Sequence, residues 1–116
     1  MAASELYGFA QDDLHGAASL VNRELGICLE LHDSFYLGGD YYRSPSNQHT
    51  LRVTIRRNLD LLFDPKTDPP EEKYAVPEFR ESALLIEVID QRAKDMTPPT
   101  RFHNVPEIYF LRSEDS

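Results

Sequence analysis

The sequence HTLRVTIRR, residues 49–57, decides the fold class of this chain. Leu51, Val53 and Ile55 alternate with polar or charged residues, which is the period-two pattern of a strand that buries one face and leaves the other polar. This alternation is the clearest of its kind in the sequence. We therefore expect a core built on a β-sheet, with one sheet face solvated or in contact with a partner.

One amphipathic helix is predicted upstream of this strand, over residues 12–25. Asp12 or Asp13 can cap it, because a short side-chain oxygen accepts hydrogen bonds from the free N–H groups of the first turn. Gly26 follows, and glycine readily adopts the left-handed conformation that ends helices. The apolar residues that recur at helical spacing on one face are Leu14, Ala17, Ala18, Val21 and Leu25.

The other predicted elements are strands, joined by two long loops that contain prolines. Strands are predicted at residues 27–32, 40–43, 83–89 and 107–111, and the strand 83–89 is expected to be central in the sheet. Residues 59–63 either extend the strand 49–57 or begin another strand. Residues 64–79 form an acidic, Pro-rich loop, 90–106 a second loop and 113–116 a frayed tail. The chain, residues 1–116, is predicted to be one α+β domain, with one N-terminal helix packed on a mostly antiparallel sheet of four to six strands.

Composition narrows the possible partners. The formal net charge is −8, which repels nucleic acid and anionic lipid and speeds encounter with a cationic partner. No apolar run is long enough to span a membrane, and the first ten residues lack the basic and apolar regions of a signal peptide, so we expect a cytoplasmic protein. Cys28 is the only cysteine, which excludes an internal disulfide, and we expect its thiol to be buried and inert.

The segment LELHDSFYLGGDYYRS, residues 29–44, is richer in carboxylates and tyrosines than a hairpin requires. Rigid aromatic side chains beside carboxylates suit recognition of a basic, hydrogen-bonding partner. Tyr41 and Tyr42 must point to opposite sheet faces, so we expect one in the core and one exposed. The predicted partner-binding residues are Asp33, Tyr36, Asp40, Tyr41 and Tyr42, together with Asp68, Glu71 and Glu72 of the acidic loop.

The sequence gives little sign of catalytic or cofactor chemistry. A metal site would use His32, Asp33 and Asp40, with His49 or His103 added, but no zinc-ligand spacing is present. A triad of Ser34, His32 and Asp33 lacks the Gly-x-Ser-x-Gly turn of a hydrolase. Gly38-Gly39 is better explained as a hairpin turn than as a phosphate-binding loop. We therefore expect no enzyme activity, metal or cofactor, and we expect Arg52, Arg56 and Arg57 to pair with acids rather than with nucleic acid.

The segment HDSFYLGGDYYRS, placed behind the helical segment YGFAQDDLHGAASLVNRELGICLE, resembles the small immunity proteins encoded beside bacterial polymorphic toxins, including those of contact-dependent growth inhibition. The resemblance covers about residues 6–60 and rests on Tyr7-Gly8-Phe9, the helix, Leu25-Gly26-Ile27, the turn from Asp33-Ser34 to Gly38-Gly39-Asp40-Tyr41-Tyr42, and the strand that ends at Asn58. It implies a cytoplasmic protein that binds the C-terminal domain of one cognate toxin and blocks it. Many such toxins are nucleases with basic clefts, which an acidic inhibitor can fill with carboxylates in place of phosphates.

Two functions of other classes stay open from the sequence. One is a small hydrolase or transferase centred on His32, Asp33 and Asp40. The other is a structural or adaptor domain that self-associates through an exposed sheet face. The oligomeric state is open as well.

Overall fold

The fold is a six-stranded antiparallel sheet with one helix on it, in a computed structural model that describes residues 3–34, 39–45, 51–60, 62–90, 102 and 105–115. The described elements are β1 (Ala3–Phe9), α1 (Leu14–Leu25), β2 (Glu30–Ser34), β3 (Gly39–Arg43), β4 (Leu51–Arg57), β5 (Leu84–Asp90) and β6 (Ile108–Asp115), with short 3-10 helices at Pro70–Lys73 and Pro77–Phe79. The strand order is β2-β3-β4-β5-β1-β6. The predicted α+β class, with a single helix on an antiparallel sheet, is confirmed.

The helix begins and ends close to the residues that the sequence predicts. An oxygen of the Asp13 carboxylate accepts a 3.0 Å hydrogen bond from the Gly16 N–H, and Gly26 ends the helix at φ 63°. Leu14, Ala17 and Val21 are buried where α1 packs against β3 and β4. The helix has twelve residues, and no helix in the described part of the chain is long and apolar enough to cross a bilayer.

The core lies between α1 and one face of the sheet, which we call the helix face. Val53 and Ile55 of β4 stand opposite Val88 and Ile86 of β5, and all four are nearly inaccessible to solvent. Where α1 does not reach, Phe102 covers the sheet, and its ring meets the Tyr7 ring edge-on at 4.8 Å. The opposite face, which we call the second face, carries the alternate residues of each strand, and α1 does not lie on it.

The main element that the sequence analysis missed is β1. This strand pairs with β5 on one side and β6 on the other, so it lies inside the sheet. Its sequence, ASELYGF, contains no β-branched residue and places Leu6 next to Tyr7, so neither strand propensity nor a clean alternation reveals it. Its place in the sheet is fixed instead by tertiary contacts, because Tyr7 and Phe9 bury their rings in the core.

Several predicted boundaries were wrong for local reasons. The strand predicted from residue 27 begins at Glu30, so Cys28 lies in the connection after α1 and its thiol is exposed rather than buried. The tail predicted at 113–116 was also wrong, because β6 runs to Asp115 and pairs there with Ala3. Residues 59–63 add no strand within their described part, since the Leu62 N–H turns back onto the Asp60 carboxylate.

The buried side chain of Asn58 organises the connection from β4 to β5. Its amide nitrogen donates to the carbonyl oxygens of Val76, Phe79 and Ser82 at 3.0–3.3 Å, and its amide oxygen accepts from the Val76 N–H at 2.8 Å. Its backbone N–H also donates to the Ala83 carbonyl. This side chain is 1% exposed, and it provides hydrogen-bond partners for three carbonyl groups and one N–H group of the connecting segment. Because that segment is not part of the sheet, these groups have no partners on a neighbouring strand.

The substitution Asn58→Ala is expected to lower the free energy of unfolding by about 2–3 kcal/mol, because it leaves buried carbonyl and N–H groups without partners. Urea unfolding measures the loss. The control is Asn22→Ala, since the Asn22 amide oxygen accepts from the Leu29 N–H alone and its loss should be about 1 kcal/mol. Equal losses for the two variants would contradict the role given to Asn58.

Gly8 is required by a close approach on the second face. A Cβ built at this position would clash with the Ser82 hydroxyl and lie 2.6 Å from Cε2 of Tyr109. The Ser82 and Tyr109 hydroxyls hydrogen-bond each other at 2.8 Å, so neither moves away without a loss.

The substitution Gly8→Ala is accordingly expected to cost about 1–3 kcal/mol of unfolding free energy through overpacking. A double-mutant cycle tests the cause. In a Tyr109→Ala background the cost should shrink, because one of the two colliding groups has gone. A cost that stays the same in that background would place its origin elsewhere.

Candidate functional site

The topology collects the predicted acidic residues at one end of the sheet. The antiparallel pairing brings the end of β2, the start of β3, the end of β4 and the start of β5 together at this end. The loop after β4 leaves from the same end. We call it the acidic end, and its members include Asp12, Asp33, Asp40, Asp60, Asp64, Asp68, Glu71, Glu72, Glu78 and Glu81.

Asp33 and Asp40 stand directly opposite each other in the β2–β3 pair. Both are exposed, and within the described residues neither carboxylate has a hydrogen bond or an ion pair. Like charges in directly opposed positions destabilise a pair of strands. The register therefore predicts a repulsion between the two side chains that a bound cationic group would relieve.

Tyr41 and Tyr42 of the β2–β3 hairpin each contact a neighbouring histidine side chain. Tyr41 is 9% exposed on the second face, where its ring stacks with the His32 ring at 5.7 Å. Tyr42 is half-buried on the helix face, where its hydroxyl hydrogen-bonds Nδ1 of His15 on α1. Tyr41 is therefore the buried member of the pair, and Tyr42 is half-buried rather than exposed because α1 lies beside it. Tyr36 lies outside the described residues.

Arg57 contacts two other segments of the chain at the acidic end. Its Nε lies 3.2 Å from the Asp12 carboxylate, and its Nη1 donates to the Asp40 carbonyl oxygen at 3.4 Å. The residue thus links the approach to α1, the β3 strand and the end of β4. The expectation that Arg57 pairs with an acid is thus met by Asp12, which no local pattern identifies because it is distant in sequence.

The loop over residues 60–73, which we call the acidic Ω-loop, is closed and ordered by its own polar groups. The Asp60 N–H donates to the Lys73 carbonyl at 2.9 Å and joins the two ends. Near its middle, the Asp64 N–H donates to the Asp68 carboxylate at 2.8 Å. Asp68, predicted as a binding residue, is half-buried and caps this turn, whereas Glu72 is exposed. Glu71 lies in the 3-10 helix Pro70–Lys73, and its side chain lies outside the described part.

The arrangement separates the residues proposed for hydrolase or metal chemistry. His32 lies on the second face, where it accepts a 3.2 Å hydrogen bond from Nε of Arg43. Asp33 and Asp40 lie on the other face, because neighbouring strand residues alternate. In the described part of the chain, no three His, Cys, Asp or Glu side chains are grouped as metal ligands would be.

Arg56, on the second face, is held by contacts within its own segment. Arg56 is half-buried and donates to the carbonyl oxygens of Arg57 and Leu59 at 3.3 Å. Burial lowers the pKa of the Arg56 guanidinium, and the negative charges of Asp60 and Glu87 act in the opposite direction. Of the three arginines expected to pair with acids, Arg57 forms an ion pair with Asp12, and Arg56 lies within the electrostatic influence of Asp60 and Glu87.

Sequence analysis also missed a cleft of about 310 Å³ beside Arg57. Its wall includes Asp12, Tyr74, Arg80 and Glu81, which come from distant segments that only the fold brings together. The cleft carries charges of both signs and so favours no one class of ligand.

Comparisons with protein-family models, with curated proteins and with solved structures gave no match.

Removal of either opposed carboxylate is expected to stabilise the free protein. Asp33→Asn or Asp40→Asn should raise the free energy of unfolding by about 0.2–1 kcal/mol at low salt, and the second substitution should add less than the first. Urea unfolding at low salt and in 1 M NaCl measures both effects, since the repulsion is screened in the latter. Glu87→Gln is the control, because Glu87 is exposed but faces Thr54 and should give no gain. Destabilisation by both Asn variants would contradict the repulsion.

Proposed function

We propose that this protein is a cytoplasmic immunity protein that binds the C-terminal domain of a cognate bacterial toxin and blocks it without catalysing a reaction. The observation that carries the proposal is the exposed Asp33–Asp40 pair at the acidic end, beside the acidic Ω-loop. Opposed carboxylates that destabilise the free protein gain most from a partner that supplies cations. The resemblance of residues 6–60 to immunity proteins supports the same function.

The proposed mechanism has two electrostatic parts. Exposed acids of the loop, such as Glu72, raise the association rate by attracting a basic surface from a distance. The Asp33–Asp40 pair then takes lysine or arginine side chains of a nuclease-like cleft, in the place that substrate phosphates would occupy. Contacts of the second kind are desolvated on binding, so their loss should act mainly on dissociation.

The placement of His32 argues against the alternative of a hydrolase or transferase. A general base must lie within hydrogen-bond reach of the group that it serves. His32 and the two aspartates project from opposite sheet faces, so they cannot act on one substrate atom. The alternative of self-association through the second face is disfavoured by its exposed charges, among them Arg52, Arg43 and Glu87.

Charge reversal should separate the two parts of the mechanism. Asp33→Lys or Asp40→Lys is expected to raise the off-rate and to weaken binding by about 2–5 kcal/mol, because a partner cation stays buried without its carboxylate. Glu72→Lys should mainly slow association. The measurement is binding kinetics with the toxin domain encoded by the adjacent upstream reading frame, at low and high salt, together with protection of co-expressing cells.

Glu87→Lys is the matched control for these reversals. It changes the net charge by the same amount on the second face, away from the acidic end, and should have a much smaller effect on either rate. Failure of the wild-type protein to bind or protect would overturn the immunity function. A wild-type on-rate indifferent to salt would overturn the electrostatic mechanism alone, because exposed charges are screened over about 8 Å at physiological ionic strength.

A further inference from the structure

Leu62 on the acidic Ω-loop is the most exposed large apolar side chain in the described part of the protein. It is 62% exposed, and Leu59, at the base of the same loop, is 37% exposed. A single exposed leucine on a soluble surface is ordinary. Leu62 differs because a hydrogen bond within the loop, and not packing against the core, fixes the position of its backbone.

The fixed position of Leu62 follows from a hydrogen bond of its own N–H. The Asp60 carboxylate accepts this bond at 2.9 Å, and the Phe63 N–H donates to the Asp60 carbonyl at 3.1 Å. Asp60 itself is tied to Lys73 across the ends of the loop. These two hydrogen bonds hold the Leu62 and Phe63 backbone to Asp60, so binding through Leu62 would lose little conformational entropy.

The charges around this leucine identify the chemistry of a fitting partner. The loop that carries Leu62 has five acids, Asp60, Asp64, Asp68, Glu71 and Glu72, against two bases, Lys66 and Lys73, so its formal net charge is −3. Lys73 lies with its Nζ 5.0 Å from the centre of the Tyr74 ring. An exposed apolar side chain on a loop of net negative charge is complementary to an apolar pocket bordered by lysine or arginine.

We propose that Leu62 is the apolar anchor of the complex and inserts into a pocket bordered by basic residues on the toxin domain. The proposal rests on the proposed function and adds to it the residue that determines how long the complex lasts. The acids at the acidic end determine the encounter, and Leu62 supplies a contact that salt does not screen.

The substitution Leu62→Ala tests the anchor directly. With the toxin domain of the upstream reading frame as the probe, the dissociation constant is expected to rise at least about tenfold, through the off-rate. The factor should be the same at low and high salt. Thr67→Ala, an exposed position of the same loop, is the control and should change the constant by less than about twofold.

Asp60 variants separate the position of Leu62 from the charge beside it. Asp60→Asn keeps an oxygen that can accept from the Leu62 N–H, whereas Asp60→Ala removes both the acceptor and the charge. Both should slow association equally, but Asp60→Ala should also raise the off-rate. Equal off-rates for the two variants would contradict a fixed anchor.

The outcomes distinguish this inference from the function on which it rests. If the wild-type protein does not bind the toxin domain, the proposed function and the anchor both fail. If the wild-type protein binds and Leu62→Ala binds as tightly, the anchor alone is overturned. Urea unfolding of Leu62→Ala should match the wild type, and a loss of stability typical of a core leucine would assign Leu62 a structural role instead.

Discussion

The arrangement of this protein depends on the buried amide of Asn58. A buried polar side chain is tolerated only when its hydrogen bonds are made, and the side chain of Asn58 makes its four hydrogen bonds to the segment between residues 76 and 82. That segment also positions Ser82, whose hydroxyl hydrogen-bonds the Tyr109 hydroxyl, and it leads into β5. Because the return of the chain is fixed there, residues 60–73 are free to project from the sheet with no contribution to the core.

This division of roles explains how an acidic surface coexists with a stable core. The buried residues of the helix face carry the fold, while the acidic Ω-loop closes on itself through backbone N–H groups and carboxylates. The carboxylates of Asp64 and Asp68 each accept a hydrogen bond from a backbone N–H of the loop. The acidic end therefore gains order from the same groups that give it its electrostatic potential.

Local patterns predicted those elements whose residues determine them locally. The Asp13 cap, Gly26 and the alternation of β4 each follow from neighbouring residues, and the structure has them in place. The strand β1 could not be predicted in this way, because Tyr7 and Gly8 are explained only by Phe102, Ser82 and Tyr109, which are far along the chain. At the site, exposure of Asp33 and Asp40 agrees with the sequence, but their direct opposition depends on register, and the burial of Tyr41 depends on the neighbouring strands.

The position of β1 between β5 and β6 has a consequence for how the chain acquires its structure. Tyr7 pairs with Ile86 and Phe110, which follow it in sequence by roughly 80 to 100 residues. Of the strands in the sheet, β1 is therefore synthesised first, and its two neighbours are synthesised last. The hairpin of β2 and β3 and the helix can form earlier, but the sheet closes only when β6 has left the ribosome. Such distant pairing is slow to form and leaves strand edges exposed in the meantime. Until β5 and β6 have been synthesised, residues 3–9 therefore have neither of the strands with which they pair.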